Sequence, residues 1–167
     1  MIIDTHQHFW TYDAQRHDWI DDKMKRIRKN FLAEDLEPVL KENGVVGCIA
    51  VQADQTEAEN DFLLDLSEKN DFIKGITGWV NFHSDNISER LEYYSGFNKI
   101  KGFRHVVQGE ADHNFLLQKE FSSGIAKLKN YNFIYEILVF PHQLGAVLEF
   151  VRKFPNQKFV INHIAKP

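Results

Sequence analysis

The chain has 167 residues, 43% hydrophobic and 26% charged, with a formal net charge of −4. That length suffices for one domain with a sizeable core, and the composition excludes general disorder, while the acidic balance gives no reason to expect nucleic acid or an anionic membrane as partner. No stretch approaches the ~18 apolar residues of a membrane span and no basic-then-apolar leader opens the chain, so the expected compartment is the cytoplasm.

The first predicted strand, Ile2 to Thr5, runs into Asp4-Thr-His-Gln-His8. Alternate side chains on a strand share a face, which puts His6 and His8 side by side, about 7 Å apart along the strand. Two such imidazoles suit a divalent cation or an activated water. A longer connection, Phe9 to Asn43, follows, with Trp10, Tyr12, His17 and Trp19 ahead of a basic run from Lys23 to Lys29 that reads as a solvated helix face. The second strand, Val45 to Gln52, is apolar on both faces and holds Cys48, the only cysteine. A disulfide within the chain is thereby excluded, and a buried, inert thiol is expected. Glu57 to Lys69 carries a helical stripe, with Thr56 and Glu59 spaced as a capping box.

The third strand, Ile73 to Val80, leads to Asn81 and His83, and Ser88 to Tyr94 forms a short helix. The fourth strand, Ile100 to Val107, carries Arg104 and His105. Adjacent residues on a strand face opposite ways, so one of the two looks into a site, and Arg104 is the natural anchor for a carboxylate or ring oxygens. Phe115 to Lys129 reads as a helix, then Phe133 to Phe140 as a strand with Glu136 inside it. A buried carboxylate needs a cation or hydrogen-bond donors, which makes Glu136 a supporting residue beside a site. A helix from Pro141 to Phe154 and a last strand from Phe159 to His163 complete the pattern, with Lys166 three residues beyond. His17, His113 and His142 read as surface residues.

Strands alternating with helices in units of ~25–33 residues mean α/β architecture. No glycine-rich phosphate loop follows the first strand, which argues against a dinucleotide-binding open sheet. Polar residues instead collect where strands end: His6 and His8; Gln52 and Asp54; Asn81 and His83; Arg104 and His105; Asn162, His163 and Lys166. Barrel enzymes build their sites at those ends. His6, His8 and His163 are therefore the candidate catalytic residues. Arg104, His105, Lys166, Gln52 and Asn81 are the candidate substrate-binding residues. No serine-nucleophile elbow is present.

Asp4-Thr-His-Gln-His-Phe-Trp10, Gly102-Phe-Arg-His105 and Asn162-His-Ile-Ala-Lys-Pro167 resemble the amidohydrolase-superfamily lactonases, which open sugar-acid lactones or a pyrone-dicarboxylate lactone. The resemblance implies a (β/α)₈ barrel and hydrolysis of a cyclic ester by water. It implies that His6 and His8 are the strand-one pair, that His163 follows strand six and that Arg104 contacts substrate. It also implies either a labile divalent metal, zinc before others, on His6 and His8, or none. The expected partner is a small lactone, with homo-oligomer formation left open.

A full barrel takes roughly 250 residues. The expectation is therefore the N-terminal part of a single barrel domain, an incomplete barrel of about six βα units. The aspartate that serves this family as general base would then lie outside it, and the 167 residues alone would be inactive. A superfamily decarboxylase and an inactive partial barrel serving as an interaction module remain the alternatives.

Overall fold

The computed structural model describes all residues, 1–167, as strands and helices grouped in two compact units, Met1–Gly78 and Trp79–Pro167. None of the helices is long and apolar enough to cross a membrane.

The first unit is built from β1 (Ile2–Gln7), α1 (Ala33–Glu42), β2 (Val45–Val51), α2 (Glu57–Lys69) and β3 (Ile73–Gly78). β2 is central, parallel to β1 on one side and to β3 on the other. Its apolar residues Cys48, Ala50 and Val51 are buried with Leu63 of α2 and with Ile73 and Ile76 of β3, as a helix-covered parallel strand requires. Burial pushes the Cys48 thiol up to about 12, with Asp4 adding to the effect, so it stays protonated and unreactive. The β1–β2 register shifts on both sides of Asp4. Irregularities of this kind bend a strand and re-aim its side chains.

Three features of this unit depart from the sequence reading. α1 lies inside the long connection, where Pro38 in its middle masks the helical pattern. The helix forms nonetheless: the Asp35 carboxylate accepts the Leu32 N–H at 2.9 Å, Ala33 and Leu40 are buried, and Gly44 ends it at φ +67°, a conformation L side chains rarely adopt. The capping box of α2 does not form. Thr56 Oγ1 donates to Asp54 Oδ2 at 3.2 Å, and Glu59 turns away to accept the Ala53 N–H at 2.9 Å. His17 is buried rather than on the surface, because Trp10, Tyr12 and Trp19 pack around its ring. The basic run does lie in solvent, in a 3₁₀ turn, Asp22–Ile27, with no buried residue.

The second unit contains α3 (Ile87–Ser95), β4 (Ile100–His105), α4 (Lys119–Ile125), β5 (Ile134–Ile137), α5 (Leu144–Lys153) and β6 (Phe159–Ile161). Here β5 is central and parallel to both neighbours. Phe82, Phe103, Phe121, Tyr135 and Phe150 are buried together. Most of their ring pairs meet edge to face, the favoured aromatic arrangement. Gly102 is required in β4: a side chain there would run into the Ile134 carbonyl oxygen of β5. The strands are shorter than the apolar runs that announce them. The long helix expected from Phe115 is split, because Gln118 is extended (φ −56°, ψ 136°) between a 3₁₀ turn, Phe115–Leu117, and α4. The Gln118 side chain compensates by donating to Asp112 Oδ2 at 3.0 Å.

Candidate active site

The end of β1 brings His6 and His8 together. Their rings meet edge on with centroids 4.9 Å apart, and the two Nε2 atoms are 3.1 Å apart. Two groups hold this arrangement. Asp4 accepts the His6 backbone N–H at 3.1 Å and the Gln7 side-chain amide at 2.6 Å, fixing the backbone at the irregular turn of the strand. His8 Nδ1 lies 2.8 Å from the Val51 carbonyl oxygen at the end of β2. A carbonyl can only accept, so Nδ1 carries the proton and a neutral His8 presents its Nε2 lone pair toward His6.

A hydrogen bond donated by the far ring N–H to a carbonyl or carboxylate is what orients a metal-binding histidine. Nitrogens about 2.0–2.1 Å from a tetrahedral zinc lie roughly 3.3 Å from one another, close to the 3.1 Å found here. The pair thus fits two positions of such an ion. The chain gathers no group of three or more His, Cys, Asp or Glu residues that would complete a metal site.

In the second unit the ends of β4, β5 and β6 assemble a buried polar chain. Arg104 and Glu136 are directly paired in register across β4 and β5. Arg104 Nη1 donates to Asn162 Oδ1 at 3.3 Å, and Asn162 Nδ2 donates to Glu136 Oε2 at 2.9 Å. All three residues are buried, between 4% and 7% exposed. Burial pulls the Arg104 guanidinium down to about 10, with Glu136 opposing, so it is cationic at neutral pH.

His163 and Lys166 follow directly, in a turn whose residues His163 to Lys166 all have positive φ, from 50° to 57°. Left-handed backbone costs L residues about 1–2 kcal/mol each, so a run of four is strained. The turn is held by the Lys166 N–H donating to the His163 carbonyl at 2.8 Å, and by the buried side chains of Asn162 and Ala165. His163 is exposed. Partial burial lowers its pKa, with the charges of Lys166 and Arg104 acting the same way and Glu136 opposing. The Lys166 ammonium is lowered by burial and by Arg104, and it sits 5.3 Å from the centre of the Phe140 ring.

His105, next to Arg104, faces elsewhere, as strand alternation requires. Its ring stacks on Phe115 with centroids 4.8 Å apart. Trp79 Nε1 donates to His105 Nδ1 at 3.3 Å, and His105 Nε2 lies 2.6 Å from Glu110 Oε1. Tryptophan can only donate and a carboxylate only accept, so one neutral tautomer, protonated at Nε2, satisfies both partners. Burial lowers the pKa of His105 in spite of Glu110. Of the remaining candidates, Gln52 is buried just past β2 with its N–H bonded to the Thr77 carbonyl. Asn81 is exposed, and its Oδ1 accepts the His83 N–H at 3.0 Å in a tight turn. Sequence reasoning did not single out Glu110 or the Val51 carbonyl, since neither carries a local signal. Asn162 was visible as one polar residue among several at a strand end and as the first residue of the Asn162-to-Pro167 motif, with no sign of its link to Arg104 and Glu136.

A model of the amidohydrolase family matches residues 3–167. The chain belongs to the amidohydrolase family. It is 34% identical to an L-fucono-1,5-lactonase of Burkholderia multivorans and 30% identical to one of Burkholderia ambifaria, in each case over 99% of its own length. This amidohydrolase chain spans little more than half of those relatives, 56% and 57%. A crystal structure of an amidohydrolase from Burkholderia multivorans with bound zinc is also 34% identical, matching the whole chain and 59% of its own with a TM-score of 0.95. The fold class is accordingly that of a (β/α)₈ barrel, present in this amidohydrolase chain as an incomplete barrel with six strands.

Proposed function

We propose that the protein is a lactonase, a hydrolase that opens a small cyclic ester of a sugar acid, and that residues 1–167 form part of one barrel domain. The observation that carries this reading is the 34% identity to an L-fucono-1,5-lactonase over nearly the whole chain. It is supported by the His6 and His8 nitrogens, which converge at 3.1 Å, and by the buried guanidinium of Arg104.

In this reading His6 and His8 hold a labile divalent ion, zinc before others. Such an ion, when bound, polarises an ester carbonyl or activates a water. Arg104 and Lys166 donate hydrogen bonds to the oxygens of the lactone, and their charge stabilises the oxyanion as it forms. His163, its pKa held down, offers a neutral imidazole as donor or acceptor beside the same oxygens. His105, Gln52 and Asn81 hold the loops at the strand ends. Water oxygen bonds to the carbonyl carbon, the ring C–O bond breaks, and the leaving oxygen takes a proton to give a hydroxy acid.

The test is a pH-stat assay of the purified full-length protein, with residues 1–167 alone beside it and expected to be inactive, against L-fucono-1,5-lactone, other sugar-acid lactones and a panel of aromatic acids. Proton release from one or more lactones is expected. Carbon dioxide release from an aromatic acid, with no lactone opened, would replace this reading with a decarboxylase. Elemental analysis before and after dialysis against a chelator should show metal that is lost on dialysis. A stoichiometric ion that survives would overturn the labile site.

A further inference from the structure

We infer that Asn162 is a positioning residue, which sets the direction of the Arg104 guanidinium by relaying the charge of Glu136 and anchors the strained turn that carries His163 and Lys166. The inference rests on the lactonase reading for its kinetic consequence, but its geometry is independent of that reading.

Arg104, Asn162 and Glu136 come from three segments: β4, the residue just past β6, and β5. Glu136 Oε2 accepts from Asn162 Nδ2 at 2.9 Å, and Asn162 Oδ1 accepts from Arg104 Nη1 at 3.3 Å. The amide is thus used at both ends, and only a side chain with one acceptor and one donor can bridge a guanidinium and a carboxylate. Arginine and glutamate side chains are long and rotamer-rich, whereas Asn162 is short and buried at 4% exposure. It is therefore the stiff member of the chain.

Asn162 is also the last residue before the four positive-φ positions. Its two buried hydrogen bonds fix the backbone where the turn begins. In a tight helical turn of either hand, residues three apart lie on one face. His163 and Lys166 have that spacing, and both feel the charge of Arg104. One buried amide thereby sets three of the groups assigned to the lactone.

A reversal of the hydrogen-bond polarity tests this. Asn162→Asp keeps an acceptor for Arg104 but sets a second carboxylate against Glu136 in place of the amide donor. Glu136→Gln combined with Asn162→Asp restores the chain: the new amide at 136 donates to the new carboxylate at 162, which accepts from Arg104, and the net charge is that of the wild type. Asn162→Asp alone should raise KM for L-fucono-1,5-lactone at least about tenfold, with a smaller change in kcat. The double variant should return to within about threefold of wild type. A double variant no better than Asn162→Asp, or an unimpaired Asn162→Asp, would overturn the inference.

The Nε–H signal of Arg104 in NMR spectra reads the same geometry with no lactone present. It should shift in Asn162→Asp and return in the double variant. If the wild type opens no lactone, the proposed activity fails, while this signal still decides the positioning. A signal unmoved by Asn162→Asp would refute it.

Discussion

The ends of β1 and β4 each present a histidine beside other polar groups, and they use it in opposite ways. At β1, His8 commits Nδ1 to the Val51 carbonyl and directs Nε2 at the Nε2 of His6, 3.1 Å away. At β4, His105 commits both nitrogens, one to the Trp79 indole and one to Glu110. The first arrangement brings two imidazole nitrogens within hydrogen-bond distance of each other, at a spacing that two positions of a shared tetrahedral cation would also fit. The second is complete within the protein and ties the loop after β4 to the aromatic core. A histidine at a strand end is therefore not yet a site. What decides is which partners hold its two nitrogens, and some of these are distant in sequence, as Val51 is from His8 and Trp79 from His105.

The largest effect expected is at β1. His6→Ala or His8→Ala should lower lactone turnover by several kcal/mol, on the order of 10³-fold, and abolish zinc uptake. Turnover and metal content near wild type in either variant would reduce the β1 pair to a structural role like that of His105. Next comes Arg104→Met, expected to cost about 2–4 kcal/mol in kcat/KM by removing a charge-assisted contact. Melting curves are needed alongside, since Glu136 and Asn162 lose a buried partner. Unchanged kinetics on every accepted lactone would remove Arg104 from the site.

His105→Gln should leave turnover within a few-fold of wild type, and its effect should fall on stability and its pH dependence. The pKa of His105 is lowered from 6.5 in the folded chain. The unfolded state therefore binds more protons in the interval below 6.5. The contribution of His105 is complete above that pH and is lost as the pH falls through its folded value. Urea unfolding from pH 8 to 5 should show this loss in the wild type and not in the variant. Parallel curves would mean that the ring titrates freely.

The smallest effect is expected from Glu110→Gln. Glu110 holds the His105 pKa up against burial. Removing its charge should move the ring-proton titration of His105 to lower pH and change stability at pH 7 by no more than about 1 kcal/mol. A titration that moved upward would reverse the assigned roles of burial and charge.

The sequence alone determined the alternation of strands and helices, the span of α2 to the residue, the burial of Cys48 and the family. These follow from short-range physics: a two-residue period for strands, a helical stripe, an apolar run covered on both sides, and motifs carried by contiguous residues such as Asp4 to His8. It also placed His6 beside His8, because two residues apart on one strand is a local relation. Tertiary structure decided the rest. α1 forms despite Pro38 because burial of Ala33 and Leu40 outweighs one lost hydrogen bond. Glu59 abandons its cap for the Ala53 N–H, and His17 is buried by aromatics from its own loop. The direction of His8 depends on a carbonyl 43 residues away, and that of Arg104 on an amide 58 residues away. No local pattern encodes such partners, since a hydrogen bond made across strands is specified by register and packing, and these exist only once the sheet has formed.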